Sequence, residues 1–188
     1  MDERYLNVVD VEATCWEGAN PPGQPNEIIE IGVCLLDMSM LERVGRRSIL
    51  VRPERSEVSE FCTRLTTLTA EQVASGMDFA AACALLGAEF DAAQRPWASW
   101  GDYDRRQFER QCAATGVPYP FGDRHTNAKR AFSESRDTTK RFGMDGALRL
   151  AGLPLEGTHH RGDDDAWNIA ALIIDMARRE RWPVRAGR

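Results

Sequence analysis

The apolar positions of this chain change period near Pro53. Before it the runs are short and nearly continuous: Leu6-Asn7-Val8-Val9-Asp10-Val11-Glu12, then Glu27 to Asp37 rich in Ile, Val and Leu, then Ser48 to Arg52. Such runs predict three strands, with Asn20-Pro21-Pro22-Gly23-Gln24-Pro25 as the loop between the first two. After Pro53 the pattern turns mostly helical. Thr69-x-x-Gln72 is a capping box, and an Ala/Leu-rich segment runs from about Phe79 to Gln94. Trp97 to Trp100 predicts one more strand. Helices follow from about Asp104 to Thr115, Asp145 to Ala151 and Asp164 to Arg179, the first two stopped by Gly116 and Gly152. Three opening strands followed by alternating helix and strand imply a mixed α/β sheet covered by helices. Tyr119 to His125 reads as a loop and as the segment freest to move.

Length and composition narrow the class. At 188 residues, 43% hydrophobic and 28% charged, the chain is in the range of one ordinary globular domain, 1–188. A net charge of −5 disfavours a protein that grips long nucleic acid over its whole surface. Positive charge is nevertheless concentrated. Residues 124–149 hold seven Lys/Arg against three Asp/Glu, and residues 178–188 hold five against one. The first stretch reads equally as a phosphate-facing patch or as solvated helix surface, the second as a solvated basic tail. Five cysteines without a C-x-x-C pair suit neither a disulfide framework nor a zinc site and read as buried thiols in a reducing cytosol. Met1-Asp2-Glu3-Arg4 lacks a basic n-region and an apolar h-region, and no apolar run approaches the ~20 residues of a membrane helix. The expected location is cytoplasmic.

Three clusters carry candidate chemistry. In Val8-Val9-Asp10-Val11-Glu12 two acids two apart on a strand point to one face. At the end of an apolar strand that arrangement is unfavourable unless a cation neutralises it, and hard divalent cations take oxygen ligands. The bland alternative is an edge strand with solvated acids. In Ser99-Trp100-Gly101-Asp102-Tyr103-Asp104, helical spacing puts Asp104 on the stripe of Phe108 and Cys112, so it faces inward unless it serves as the helix N-cap. In His159-His160-Arg161-Gly162-Asp163-Asp164-Asp165, Asp165 lies within about 40° of Ile169, Leu172 and Met176. Asp163 and Asp164 rotate away and are expected in solvent near the positive end of the helix dipole.

Four inward carboxylates from three distant segments, with a histidine just before the last, form the set expected for two-metal phosphoryl transfer. Asp10, Glu12, Asp104 and Asp165 would bind two Mg²⁺ ions, with Mn²⁺ able to substitute. His160, near the ordinary imidazole pKa of about 6.5, would act as general base. His159 and His125 have no role by this count.

The sequence resembles the DEDDh family of 3′-to-5′ exonucleases. Asp10-x-Glu12, Tyr103-Asp104 and His160, separated by four residues from Asp165, match its three motifs in chain order. Asp10 to Trp16, Asn26 to Gly32, Phe61-Cys62-x-x-Leu65-Thr66 and Asp164 to Ala170 are similar to the Eri-type branch, which includes histone-mRNA-processing and small-RNA-trimming exoribonucleases and bacterial KapD-like proteins. The resemblance covers about residues 5–177; Thr67-Leu68 departs from the Gly-Ile of that branch.

The resemblance implies a ribonuclease H-like, five-stranded mixed sheet with helices on both faces. It also implies metal-dependent release of nucleoside 5′-monophosphates from the 3′ ends of single-stranded RNA. The terminal nucleotide would lie beside Ala13, Thr14 and Trp16, with Phe61 and Leu65 as a wedge and Tyr103 stacked on a base; core packing is the competing role of all but Tyr103. Arg105, Arg106, Lys129, Arg130 and Arg161 are unranked candidates for the strand's phosphates. A DNA-directed repair or proofreading exonuclease and a non-catalytic RNA-binding module on the same fold are the alternatives. No phosphate-binding glycine loop of the P-loop or dinucleotide type occurs.

Overall fold

The structure is a computed structural model, and it describes residues 4–182. Five strands, β1 (Tyr5–Ala13), β2 (Ile28–Asp37), β3 (Glu42–Leu50), β4 (Trp97–Ser99) and β5 (His125–Asn127), form one sheet in the order β3-β2-β1-β4-β5. The first three are antiparallel neighbours; β4 runs parallel to β1, and β5 parallel to β4. Between and after them come α1 (Glu60–Thr66), α2 (Ala70–Ala74), α3 (Phe79–Phe90), α4 (Tyr103–Thr115), α5 (Ala128–Ser135), α6 (Met144–Ala151) and α7 (Gly162–Arg178). The mixed sheet covered on both faces is the expected ribonuclease H-like arrangement.

Strand alternation divides the core. Leu6 and Val8 of β1 join Cys34, Leu36, Phe132, Leu148 and the apolar stripe of α7, including Ile169 and Leu172. Val9 and Val11 point the other way, to Phe79 and Leu86 of α3 and Phe108 of α4. Asp10 and Glu12 continue the Leu6–Val8 alternation and so emerge on the α7 side. Helix α7 can reach that point because two glycines meet there. A methyl group on Gly32 of β2 would lie 1.8 Å from the Gly162 carbonyl carbon, so only glycine lets the helix start against the strand.

The caps follow the expected signals. Thr69 and Gln72 form the reciprocal capping box of α2, and Gly116 and Gly152 end α4 and α6 in left-handed conformations. Other boundaries differ. Strand β3 begins six residues earlier than expected, because its charged residues lie on a sheet edge where backbone pairing with β2, not an apolar pattern, makes the strand. Helix α3 stops at Phe90, where Asp91 turns left-handed at φ 50°. Helix α7 starts two residues early, at Gly162. The Tyr119–His125 segment is not loose: Phe121 is buried and stacked on Trp97 with ring centroids 4.2 Å apart, and His125 enters β5. The last six residues of the expected basic tail, 183–188, lie outside the described residues. Among the described residues no helix is long and apolar enough to cross a membrane.

Candidate active site

Three elements deliver the acidic residues. The end of β1 carries Asp10 and Glu12, and its pairing with β2 is interrupted by a register shift just after Glu12. The first turn of α4 holds Asp104 inward, where a carboxylate oxygen accepts the Val11 N–H at 3.0 Å. Asp102, not Asp104, occupies the N-cap position. The first turn of α7 holds Asp165, buried, accepting the His160 N–H at 3.0 Å. Carboxylate oxygens of Asp10, Glu12 and Asp165 lie within 4.8 Å of one another. All four acids line one open hollow of about 390 Å³ together with His159 and His160.

The electrostatics of this cluster suit a cation-binding site. Burial, then the charges of Asp104, Glu12 and Asp165, hold the Asp10 carboxyl well above the usual range. Glu12 is pushed up to about 9 by burial first and then by Asp165 and Glu30. Burial raises Asp104 to about 6 against the opposing pull of the Val11 amide. Asp165 is raised by burial and partly restored by its hydrogen bond to His159. Several carboxylates that cannot all ionise, presenting hard oxygen donors to one point, fit a divalent cation.

His160 sits on the loop before α7 with a left-handed φ of 66°, an uncommon conformation for a side-chain-bearing residue. The N–H bond to Asp165 fixes it there. Its ring is half exposed, stacks on His159 at 4.0 Å between centroids, and brings Nδ1 to 3.9 Å from a Glu12 oxygen. Burial, then neighbouring His159, lowers its pKa, which favours the neutral imidazole. His159 has a partner that sequence reasoning missed: its Nδ1 lies 3.0 Å from Asp165. His125 stands apart, with Nε2 2.9 Å from Ser99 Oγ and its ring against Trp97.

The loop is anchored by a residue that the sequence analysis did not single out. Glu30, opposite Glu12 in the β1–β2 register, is fully buried. Its carboxylate accepts Ser48 Oγ–H at 2.5 Å, Arg161 at 3.0 and 3.2 Å, and the Gly162 N–H at 2.8 Å. One signal was present, since a glutamate inside the apolar run Ile28 to Val33 must find a partner. Asp163 and Asp164 correct the expectation of free solvated acids. Asp164 accepts Arg46 at 2.6 Å and the Thr158 N–H at 2.8 Å, and Asp163 lies 3.7 Å from the same arginine. They tie the histidine loop to β3.

Of the residues expected beside the terminal nucleotide, Ala13, Leu65 and Tyr103 line the hollow, joined by Cys15 and Trp100. Thr14, Trp16 and Phe61 do not line it. The Thr14 hydroxyl is spent internally, donating to the Pro25 carbonyl at 3.2 Å and accepting the Glu27 N–H at 2.9 Å. Phe61 is partly buried beneath the Arg64 guanidinium.

Comparison with known proteins decides the family. The family model described as Exonuclease (RNase_T) matches residues 8–173. The chain belongs to the exonuclease family. Human 3′-5′ exoribonuclease 1 is a family relative 32% identical to it, the alignment covering 92% of this chain and 52% of that protein. The 3′-5′ exonuclease Snipper of Drosophila melanogaster is 28% identical over 93% of this chain and 69% of its own length. The chain thus spans about half the length of the human exoribonuclease. Among exonuclease structures, the nuclease domain of 3′hExo, a DEDDh family member bound to rAMP, superposes with a TM-score of 0.84 at 28% identity, covering 95% of this chain and 94% of that one.

Proposed function

We propose that this chain is a divalent-metal-dependent 3′-to-5′ exoribonuclease that hydrolyses single-stranded RNA from its 3′ end and releases nucleoside 5′-monophosphates. The observation that carries the reading is the convergence of Asp10, Glu12 and Asp165 within 4.8 Å, beside the half-exposed His160 ring, at the floor of an open hollow. Two solved structures similar to this chain support RNA as the polymer: one has the 3′hExo nuclease domain with rAMP, and another has a 3′-exonuclease recognising the histone mRNA stem-loop.

In this reading Asp10, Glu12, Asp104 and Asp165 hold two Mg²⁺ ions, with Mn²⁺ as a substitute. Bound there, such ions would stabilise charge developing on the phosphoryl oxygens and acidify the attacking water. His160 takes the water's proton; its neutral state and exposed ring suit a general base. His159 fixes the Asp165 carboxylate. Glu30 and Arg161 hold the backbone that carries His160. Ala13 and Leu65 bound the terminal nucleoside, and the exposed Tyr103 ring stacks on a base without reading its identity. The exonuclease unit is one domain. Its five thiols, none in a disulfide, suit the cytoplasm.

The test is a time course on 5′-labelled single-stranded RNA and DNA oligomers with Mg²⁺, Mn²⁺ or EDTA. A metal-dependent ladder on RNA, shortening from the 3′ end, is expected. A DNA-only ladder would move the protein to repair or proofreading, and binding without cleavage in any metal would make it an RNA-binding module.

A further inference from the structure

A second hollow, of about 460 Å³, adjoins the carboxylate site and shares Tyr103 with it. Its walls bring together Arg106 and Arg110 from one face of α4, Asn127 and Lys129 from the start of α5, and Arg141 from the loop before α6. Asp102 is its one carboxylate, and that side chain lies 3.7 Å from Arg105.

Many of the other cations of this acidic protein face carboxylates. Arg105 faces Asp102 and Glu109, Arg130 faces Glu134, and Arg161 is held by Glu30. Arg136 and Arg149, from the basic stretch 124–149, pair with Asp175 and Asp145. The four cations of the hollow differ. Among the described residues, the ion pairs include none of Arg106, Arg110, Lys129 or Arg141; Arg110 donates to the Gln107 side chain and Arg141 to the Thr139 carbonyl at 3.5 Å. Four positive charges from three segments around one concavity repel one another until an anion enters. Guanidinium and ammonium donors converging in this way suit phosphate oxygens.

Position specifies which phosphates. The carboxylate hollow is lined by Ala13, Cys15 and Leu65, from β1, the loop after it and α1, and by Trp100, Gly143 and Met144, from the segments before α4 and at the start of α6. The cationic hollow adjoins the second group in the chain: Gly101 and Asp102 follow Trp100, and Arg141 precedes Gly143 by two residues. A strand whose terminal nucleoside lies against Ala13 and Leu65 therefore leaves past Tyr103 into the cations. We propose that this hollow binds the next one or two backbone phosphates on the 5′ side of the scissile bond, with Arg106 and Lys129 as its main donors and Arg110 and Arg141 in support. The assignment rests on reading the carboxylate hollow as the exonuclease centre. It also divides the basic stretch 124–149 into cations that face phosphate and cations that serve the fold.

The test compares wild type, Arg106→Ala/Lys129→Ala and, as an equal-charge control at exposed positions elsewhere, Arg149→Ala/Arg178→Ala, each on two substrates. One is a short single-stranded RNA; the other is thymidine 5′-p-nitrophenyl phosphate, which has no upstream strand. For Arg106→Ala/Lys129→Ala, KM on RNA is expected to rise by about tenfold, with kcat and ester hydrolysis changed by less than about twofold. The slope of log(kcat/KM) against log salt should become shallower by about 0.7 per contact removed. RNA with a neutral methylphosphonate at the second linkage should distinguish wild type from variant little. An unchanged KM on RNA, or an equal loss on the small ester, would overturn the proposal. If wild type hydrolyses neither substrate, the exonuclease reading fails by itself. Anisotropy of labelled RNA then decides the hollow: binding weakened by about tenfold in Arg106→Ala/Lys129→Ala upholds it, and equal binding rejects it.

Discussion

Neutralising Glu12 should stabilise the metal-free protein while destroying its function. Its oxygen lies within 4.8 Å of oxygens of both Asp10 and Asp165, and at an effective dielectric of ~20 each like-charged pair at that distance repels by roughly 3.5 kcal/mol. Holding a proton at pH 8 would cost about 5 kcal/mol for a carboxyl at the ordinary 4.5, and in the folded chain Glu12 is pushed up to about 9. Burial, with that repulsion added to it, outweighs this cost, so the metal-free cluster keeps the proton. Between those two values the folded state binds more protons than the unfolded chain, so stability falls as pH rises. His125 works in the opposite direction below its ordinary 6.5, because burial lowers it to about 4 and the unfolded chain takes up the proton. The clean window is therefore pH 6.5 to 8. Across it wild type should lose about 2 kcal/mol, or roughly 4–8 °C in Tm for a chain of this size. Thermal unfolding in chelator should show that loss, a smaller one in Glu12→Gln, where the raised Asp10 carboxyl remains, and recovery of wild type alone when Mn²⁺ is added. A metal-free Tm that stays flat or rises from pH 6.5 to 8, or an identical loss in Glu12→Gln, would refute the reasoning.

Other outcomes follow from single contacts. Gly32→Ala forces α7 off the sheet and should cost at least about 2–3 kcal/mol in chemical denaturation; an unchanged midpoint would mean that the helix start is not seated as described. Glu30→Gln leaves the Arg161 charge without its buried partner and should cost roughly 3–5 kcal/mol, which a Tm within a degree of wild type would contradict. His160→Ala should slow turnover by about 10²–10⁴-fold while calorimetry still shows Mn²⁺ binding; lost binding would make His160 a ligand instead of a base.

The site was legible where a local period constrained a charged residue. Asp10 and Glu12 two apart among valines, Asp104 on the Phe108 stripe, and Asp165 on the stripe of Ile169 and Leu172 each had one inward solution, and the structure faces them all into one hollow. Pairings between distant segments were not legible. Nothing in the order of residues says that Glu30 meets Arg161 across 131 positions, that Asp164 meets Arg46 across 118, or that His159 and not solvent faces Asp165. Strand β3 escaped for a related reason, since an edge strand rich in Arg and Glu takes its conformation from the neighbour it pairs with. The basic residues are the clearest case. Arg105 and Arg106 are adjacent in sequence, yet one lies beside Glu109 and the other faces the cationic hollow.

The central claim is that the carboxylate hollow performs hydrolysis at the 3′ end. Its most direct test is the initial rate of mononucleotide release from 3′-labelled RNA by purified wild type and Asp10→Ala in Mg²⁺, with folding of both checked by thermal unfolding. Labelled nucleoside 5′-monophosphate should appear as the first product with wild type, and its rate should fall by at least about 10³-fold in the variant. Release by Asp10→Ala at the wild-type rate would contradict the account.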